Sequence, residues 1–92
     1  MIENAVPNAV VIHPDDNVAT VLVAIDPGGT VRWDASPGVV AGEPIPAGHK
    51  VALAAIALGA PIRKYGQPIG VASQPIAVGQ HVHTHNLTGQ EV

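Results

Sequence analysis

The sequence contains no cysteine and no phenylalanine, and a single tryptophan (Trp33), tyrosine (Tyr65) and methionine (Met1). Without cysteine there is no disulfide framework and no thiolate metal site, so a bound metal must rely on histidine and carboxylate. Without aromatic bulk, the 47% of residues that are apolar must build a core from valine, isoleucine, leucine and alanine. Such side chains suit strands better than helices. Positive charge is scarce too. Arg32, Lys50, Arg63 and Lys64 are the fixed cations in a chain of formal net charge −3, too few for the dense basic patch that a nucleic acid or an anionic membrane demands. No partner of either kind is expected. Nowhere do about 18 residues pass without glycine, proline or charge, and MIENAVPNAVVIHPDD lacks the basic start and apolar run of a signal peptide. The expectation is a soluble, cytoplasmic protein. With 92 residues there is room for one domain with a modest core, and little for a large enclosed active site.

What is plentiful is punctuation: ten glycines and nine prolines, spread along the chain from Pro7 onward. One arrangement recurs, apolar-x-x-Gly-x-x-apolar, as IDPGGTV (25–31), VVAGEPI (39–45), IPAGHKV (45–51), IALGAPI (56–62) and IAVGQHV (76–82). Glycine enters positive φ at little cost and proline pre-sets φ, so each unit reads as a tight turn between two strand ends. The segments between them are NVATVLVAI (17–25), HKVALAAI (49–56), IGVASQPI (69–76) and HVHTHNL (81–87). All have strand length, and most are rich in valine and isoleucine. NVATVLVAI also places Val18, Val21, Leu22 and Ile25 at helical spacing behind Asp15, Asp16 or Asn17 as a cap, but its β-branched content favours a strand. The fold class expected is all-β, a small barrel of short bent strands joined by Gly/Pro turns.

Four stretches in order, IHPDDNVATVLVAI (12–25), GHKVALAAI (48–56), KYGQPIGVA (64–72) and IAVGQHVHTHN (76–86), make the chain resemble the N-terminal module of the altronate/galactarate dehydratase family. The resemblance spans residues 12–86, and the HVHTHN ending is of the type shared by the altronate branch and the sulfo-lyase small subunits. It implies a SAF-type β-clip barrel over 12–87, preceded by an extension (1–11) and followed by a tail (88–92). It further implies a lyase removing water or sulfite from a small hydroxy acid, commonly with iron(II), or manganese or magnesium. A separate large catalytic subunit would complete the site, the chain would be inactive alone, and the assembly would be oligomeric. The segment VRWDASPGVVAGEPIPAG (31–48) departs most from the family pattern and reads as a flexible connection. The competing expectation is a SAF module that binds carbohydrate or anions, or assists assembly, without catalysis.

Chemistry concentrates in QHVHTHN (80–86). In a regular strand His81, His83 and His85 share one face. His83 and His85 form an H-x-H pair able to converge on one metal or one anion, and they are taken as metal ligands and catalytic residues. His81, directly after the Gly79 turn, is left outside the site. Gly48-His49-Lys50 sets an imidazole and an ammonium behind a turn, where a carboxylate or sulfonate can be held. His49 and Lys50 join the catalytic set, although strand alternation turns them to opposite faces. His13, Asn17, Lys64 and Asn86 are expected to contact substrate. Each has a plainer reading: His13 exposed at a strand end, Asp16 and Asn17 capping a turn, Asn86 closing one, and Tyr65 in the core with Gly66 and Gly70 as turn residues.

Overall fold

The computed structural model describes residues 6–34 and 36–89. The chain is all-β, with no helix among the described residues and none long and apolar enough to cross a membrane. Nine short strands form it: β1 (Ala9–Val10), β2 (Val18–Val21), β3 (Thr30–Val31), β4 (Val39–Val40), β5 (Lys50–Ala52), β6 (Pro61–Lys64), β7 (Gln67–Ala72), β8 (His81–Val82) and β9 (Leu87–Thr88). They divide into sheets of order β1-β2-β5-β8, β3-β4 and β6-β7-β9, every pairing antiparallel. NVATVLVAI is a strand over Val18–Val21 and bends at Leu22–Val23, so its helical spacing goes unused.

The recurring glycine turns belong to a larger internal repeat. Advancing 31 positions carries the pairing Thr20↔Lys50 of β2 and β5 onto Val51↔His81 of β5 and β8, and Val31↔Val39 onto Ile62↔Gly70. The isolated bridge Ile25↔Ile45 maps in the same way onto Ile56↔Ile76. β5 serves twice, closing the first unit and opening the second. Each unit has its own buried cluster: Val21, Ile25, Val31, Ala41, Ile45 and Val51 in one, and Ala52, Ile56, Ile62, Ala72, Ile76 and Val82 at the corresponding positions of the other. Among the described residues every buried apolar side chain is alanine, valine or isoleucine, and Leu53 and Leu87 are only partly buried. Burying one such valine or isoleucine contributes roughly 1.5–3 kcal/mol.

Four of the five recurring motifs are built alike. Gly28, Gly48, Gly59 and Gly79 all have φ between 82° and 87°, and each motif's two apolar ends are buried. VVAGEPI (39–45) differs: Gly42 is not in the left-handed region, and Val39–Val40 is a strand. At Gly79 glycine is required, because a β-carbon there would run into the carbonyl of Val40, and Gly38 stands in the same way against the carbonyl of Val31.

Several expectations are corrected. Segment 31–48 is no loose connection: Val31, Ala41 and Ile45 are buried and Trp33 packs against them. The boundary set before residue 12 falls inside the fold, since Ala9–Val10 pairs with β2, and Thr88 of the expected tail pairs with Val71. Residues 1–5 and 90–92 lie outside the described residues. Tyr65 is not a core residue. It is 57% exposed at φ 60°, and with Gly66 (φ 73°) it makes the two-residue turn between paired Lys64 and Gln67, the positive-φ geometry that suits the twist of a hairpin.

Candidate functional site

The strand expected over HVHTHNL is broken. β8 ends at Val82, residues 83–86 form a turn in which the N–H groups of Asn86 and Leu87 donate to His83 O, and β9 begins at Leu87. The cause is Asn86, which is 3% exposed. Its Oδ1 accepts from His83 N and its Nδ2 donates to His81 O, each at 2.9 Å. A buried carboxamide satisfied on both sides favours this turn over an extended ladder.

The turn gathers imidazoles by a different route from strand alternation. Continuing the β5–β8 register past Lys50↔Val82 sets His49 opposite His83, and side chains directly opposite in antiparallel strands share a face. Their rings stack with centroids 4.1 Å apart and planes 19° from parallel. His81 completes the group, its Nε2 2.8 Å from His49 Nδ1 in a hydrogen bond whose donor depends on the tautomer. One nitrogen from each of His49, His81 and His83 lies within 4.8 Å of the others, and all three rings are half-buried. His85 is exposed and tilts toward His81, centroids 5.2 Å apart.

The surroundings favour the neutral form of His81 and His83. Burial, then His49, His85 and His83, hold His81 below the ordinary histidine value, with Glu43 opposing. Desolvation, then His49, Lys50 and His85, lower His83 likewise. Burial and the neighbouring Lys64 cation lower Lys50. Imidazole nitrogens are borderline ligands, so three rings with clustered donor atoms suit a divalent ion of intermediate softness such as iron(II) or zinc, and suit magnesium less well. Among the described residues no concave pocket encloses the cluster.

The other residues singled out in the sequence are placed elsewhere or engaged otherwise. His13 is exposed, its Nδ1 accepting from Asp15 N at 3.0 Å, and its ring stands against Gly66. Asn17 is engaged with backbone: Nδ2 donates to Pro61 O at 3.0 Å and Oδ1 accepts from Arg63 N at 2.8 Å. Asp16 accepts from the N–H groups of His13, Tyr65 and Gly66, tying the start of β2 to the β6–β7 turn. Lys64 Nζ lies 4.9 Å over the Tyr65 ring. The β5–β8 register turns Lys50 to the face opposite His49. Glu43 went unnoticed in the sequence, yet its Oε2 accepts from His81 N at 2.9 Å on the outer edge of β8. The signal available for it was the 31-residue repeat.

The structure thus defines a small all-β module with a surface cluster of three histidines. The profile of the "Altronate/galactarate dehydratase SAF domain" matches residues 7–90, and the chain belongs to that family. It is 47% identical over 75 residues to altronate dehydratase of Escherichia coli (strain K12), and 42% identical over 76 residues to that of Bacillus subtilis (strain 168). Each alignment covers 82% of this chain and 15% of the relative. It is also 52% identical over 42 residues to (2R)-sulfolactate sulfo-lyase subunit alpha of Paracoccus pantotrophus, covering 46% of this chain and 63% of that subunit. The relatives are lyases, and the chain spans about a seventh of the length of the dehydratases.

Proposed function

We propose that this chain is the SAF part of a hydroxy-acid lyase, a sugar-acid dehydratase or a sulfo-lyase, and that it supplies imidazole and ammonium groups to a site closed by a larger catalytic part. The observation that carries the proposal is the convergence of His49, His81 and His83 on a chain aligning with 15% of altronate dehydratase. With no pocket around the cluster, a second surface is needed to exclude water from a small substrate.

In this reading His49, His81 and His83 hold a divalent metal, with His85 beside them. Such an ion, when bound, supplies Lewis acidity toward the substrate carboxylate and the departing group. Lys50 and Lys64 add positive charge that steers the acid's anionic end toward the site, and Lys50, with its lowered pKa, gives up a proton more readily than an ordinary lysine. The base that removes the proton next to the carboxylate belongs to the larger part. His13, at the tip of the β6–β7 hairpin beside Gly66, and Asn17 and Asn86, engaged with backbone, act through the fold.

The test is to co-express the chain with the larger protein and to assay release of a 2-keto acid, or of sulfite, with iron(II). Turnover should require both chains and fall by at least a hundredfold with His49→Ala or His83→Ala. Full turnover by the larger protein alone would refute the proposal.

A further inference from the structure

The cluster rides on a segment with little ladder of its own. β8 has two residues, and residues 83–86 are a turn. Two side chains grip that segment from outside it. Glu43 Oε2 accepts from His81 N at 2.9 Å, and Gln74 Nε2 donates to His85 O at 3.1 Å. The 31-residue shift carries Glu43 onto Gln74. Both stand in bends, GEP (42–44) and SQP (73–75), that lead into the bridged residues Ile45 and Ile76.

Each bend is also tied to the histidine segment through backbone: Gly42 N donates to Gly79 O and Ser73 N to Asn86 O, both at 2.9 Å. The first bend thus holds the segment at residues 79 and 81, and the second at 85 and 86. Equivalent loops of the two units close on opposite ends of the stretch that bears His81, His83 and His85.

We propose that Glu43 and Gln74 are positioning residues, clamping the 81–85 backbone from both ends so that His81 and His83 meet His49 at one divalent ion. The proposal rests on the reading of the cluster as an ion site. The two grips are unequal. An ionised acceptor makes the stronger bond, and Glu43 acts on a ligand residue itself, whereas the Gln74 bond is neutral and exposed. Residues that orient metal ligands typically change affinity by about 10–100-fold when removed.

Zinc, titrated into the metal-free chain, serves as the probe, with ring-to-ring NMR contacts between His49 and His83 and amide exchange at His81 as readouts independent of metal. Glu43→Ala is expected to weaken zinc binding by about tenfold, loosen the His49–His83 ring contacts and speed His81 amide exchange. Gln74→Ala is expected to do less and to leave His81 exchange unchanged. Glu43→Gln, whose amide oxygen still accepts, should restore most of the affinity, which a purely electrostatic role for the carboxylate would not allow. Wild-type ring contacts and affinity in both Glu43→Ala and Gln74→Ala overturn the proposal. If those contacts loosen but the wild-type chain takes up no zinc, the ion reading fails instead.

Discussion

His49 and His83 stack across the β5–β8 pair with centroids 4.1 Å apart, although neither backbone position neighbours the other in sequence. The stack joins the strand shared by the two repeat units to a turn held by Asn86. Changes that disturb either part should therefore be felt at the rings.

Asn86→Ala removes both carboxamide bonds and leaves His83 N and His81 O without their side-chain partner. Losing a buried pair of this kind costs about 1–3 kcal/mol. Thermal unfolding should shift down by several degrees, and the His49–His83 ring contacts should weaken in the protein that stays folded. A variant of wild-type stability with intact contacts would show that the turn holds itself.

Asp16→Ala separates fold from site. Its carboxylate takes three backbone donors away from the cluster, so the expected loss is about 1–3 kcal/mol. Denaturant unfolding measures it. Metal affinity of the folded protein should stay within about twofold of wild type.

Gly79→Ala forces a β-carbon against the Val40 carbonyl at a φ of 85°. Strain at such a position costs about 1–3 kcal/mol before the clash is counted. Gly59→Ala provides the control, because at φ 82° it has open space around it. The expected order of melting temperatures is wild type, then Gly59→Ala, then Gly79→Ala.

Acidity should destabilise the metal-free chain through the same rings. The folded-state values of His81 and His83 lie below the ordinary 6.5, so between those values and 6.5 the unfolded chain binds more protons than the folded one. Stability is therefore whole above pH 6.5 and falls as the pH drops below it. The charged and titratable groups near the rings are His49, just before β5, Lys50 from β5, whose charge reaches His83 from the opposite face, His85 from the turn, and Glu43, which partly opposes the shift at His81. Chemical denaturation at a series of pH values checks the sign, and His81→Gln with His83→Gln should flatten the slope below pH 6.5.

The all-β class was legible because the Gly/Pro spacing and the β-branched segments carry local information, and the order of four motifs carried the family. The cluster was half legible. Alternation in HVHTH pointed to a shared face, but Asn86 ends the strand after Val82, and the stack depends on a cross-strand register that no local pattern reveals. His49 entered the reading through its turn, not through its opposition to His83. Glu43 is reached in the sequence only by sliding it 31 positions onto itself, a longer period that the five turn motifs taken singly do not display. A lone aromatic such as Tyr65 reads as core, whereas at φ 60° in a hairpin turn it faces solvent.

The most direct measurement of the account is a zinc titration of the metal-free chain followed through its histidine ring nitrogens by NMR. The rings of His49, His81 and His83 should shift together and saturate near one equivalent, with nitrogen–metal distances of about 2.0–2.1 Å by X-ray absorption, while His13 stays unmoved. Zinc that shifts His13 alone, or leaves His49 and His83 behaving independently, would contradict it.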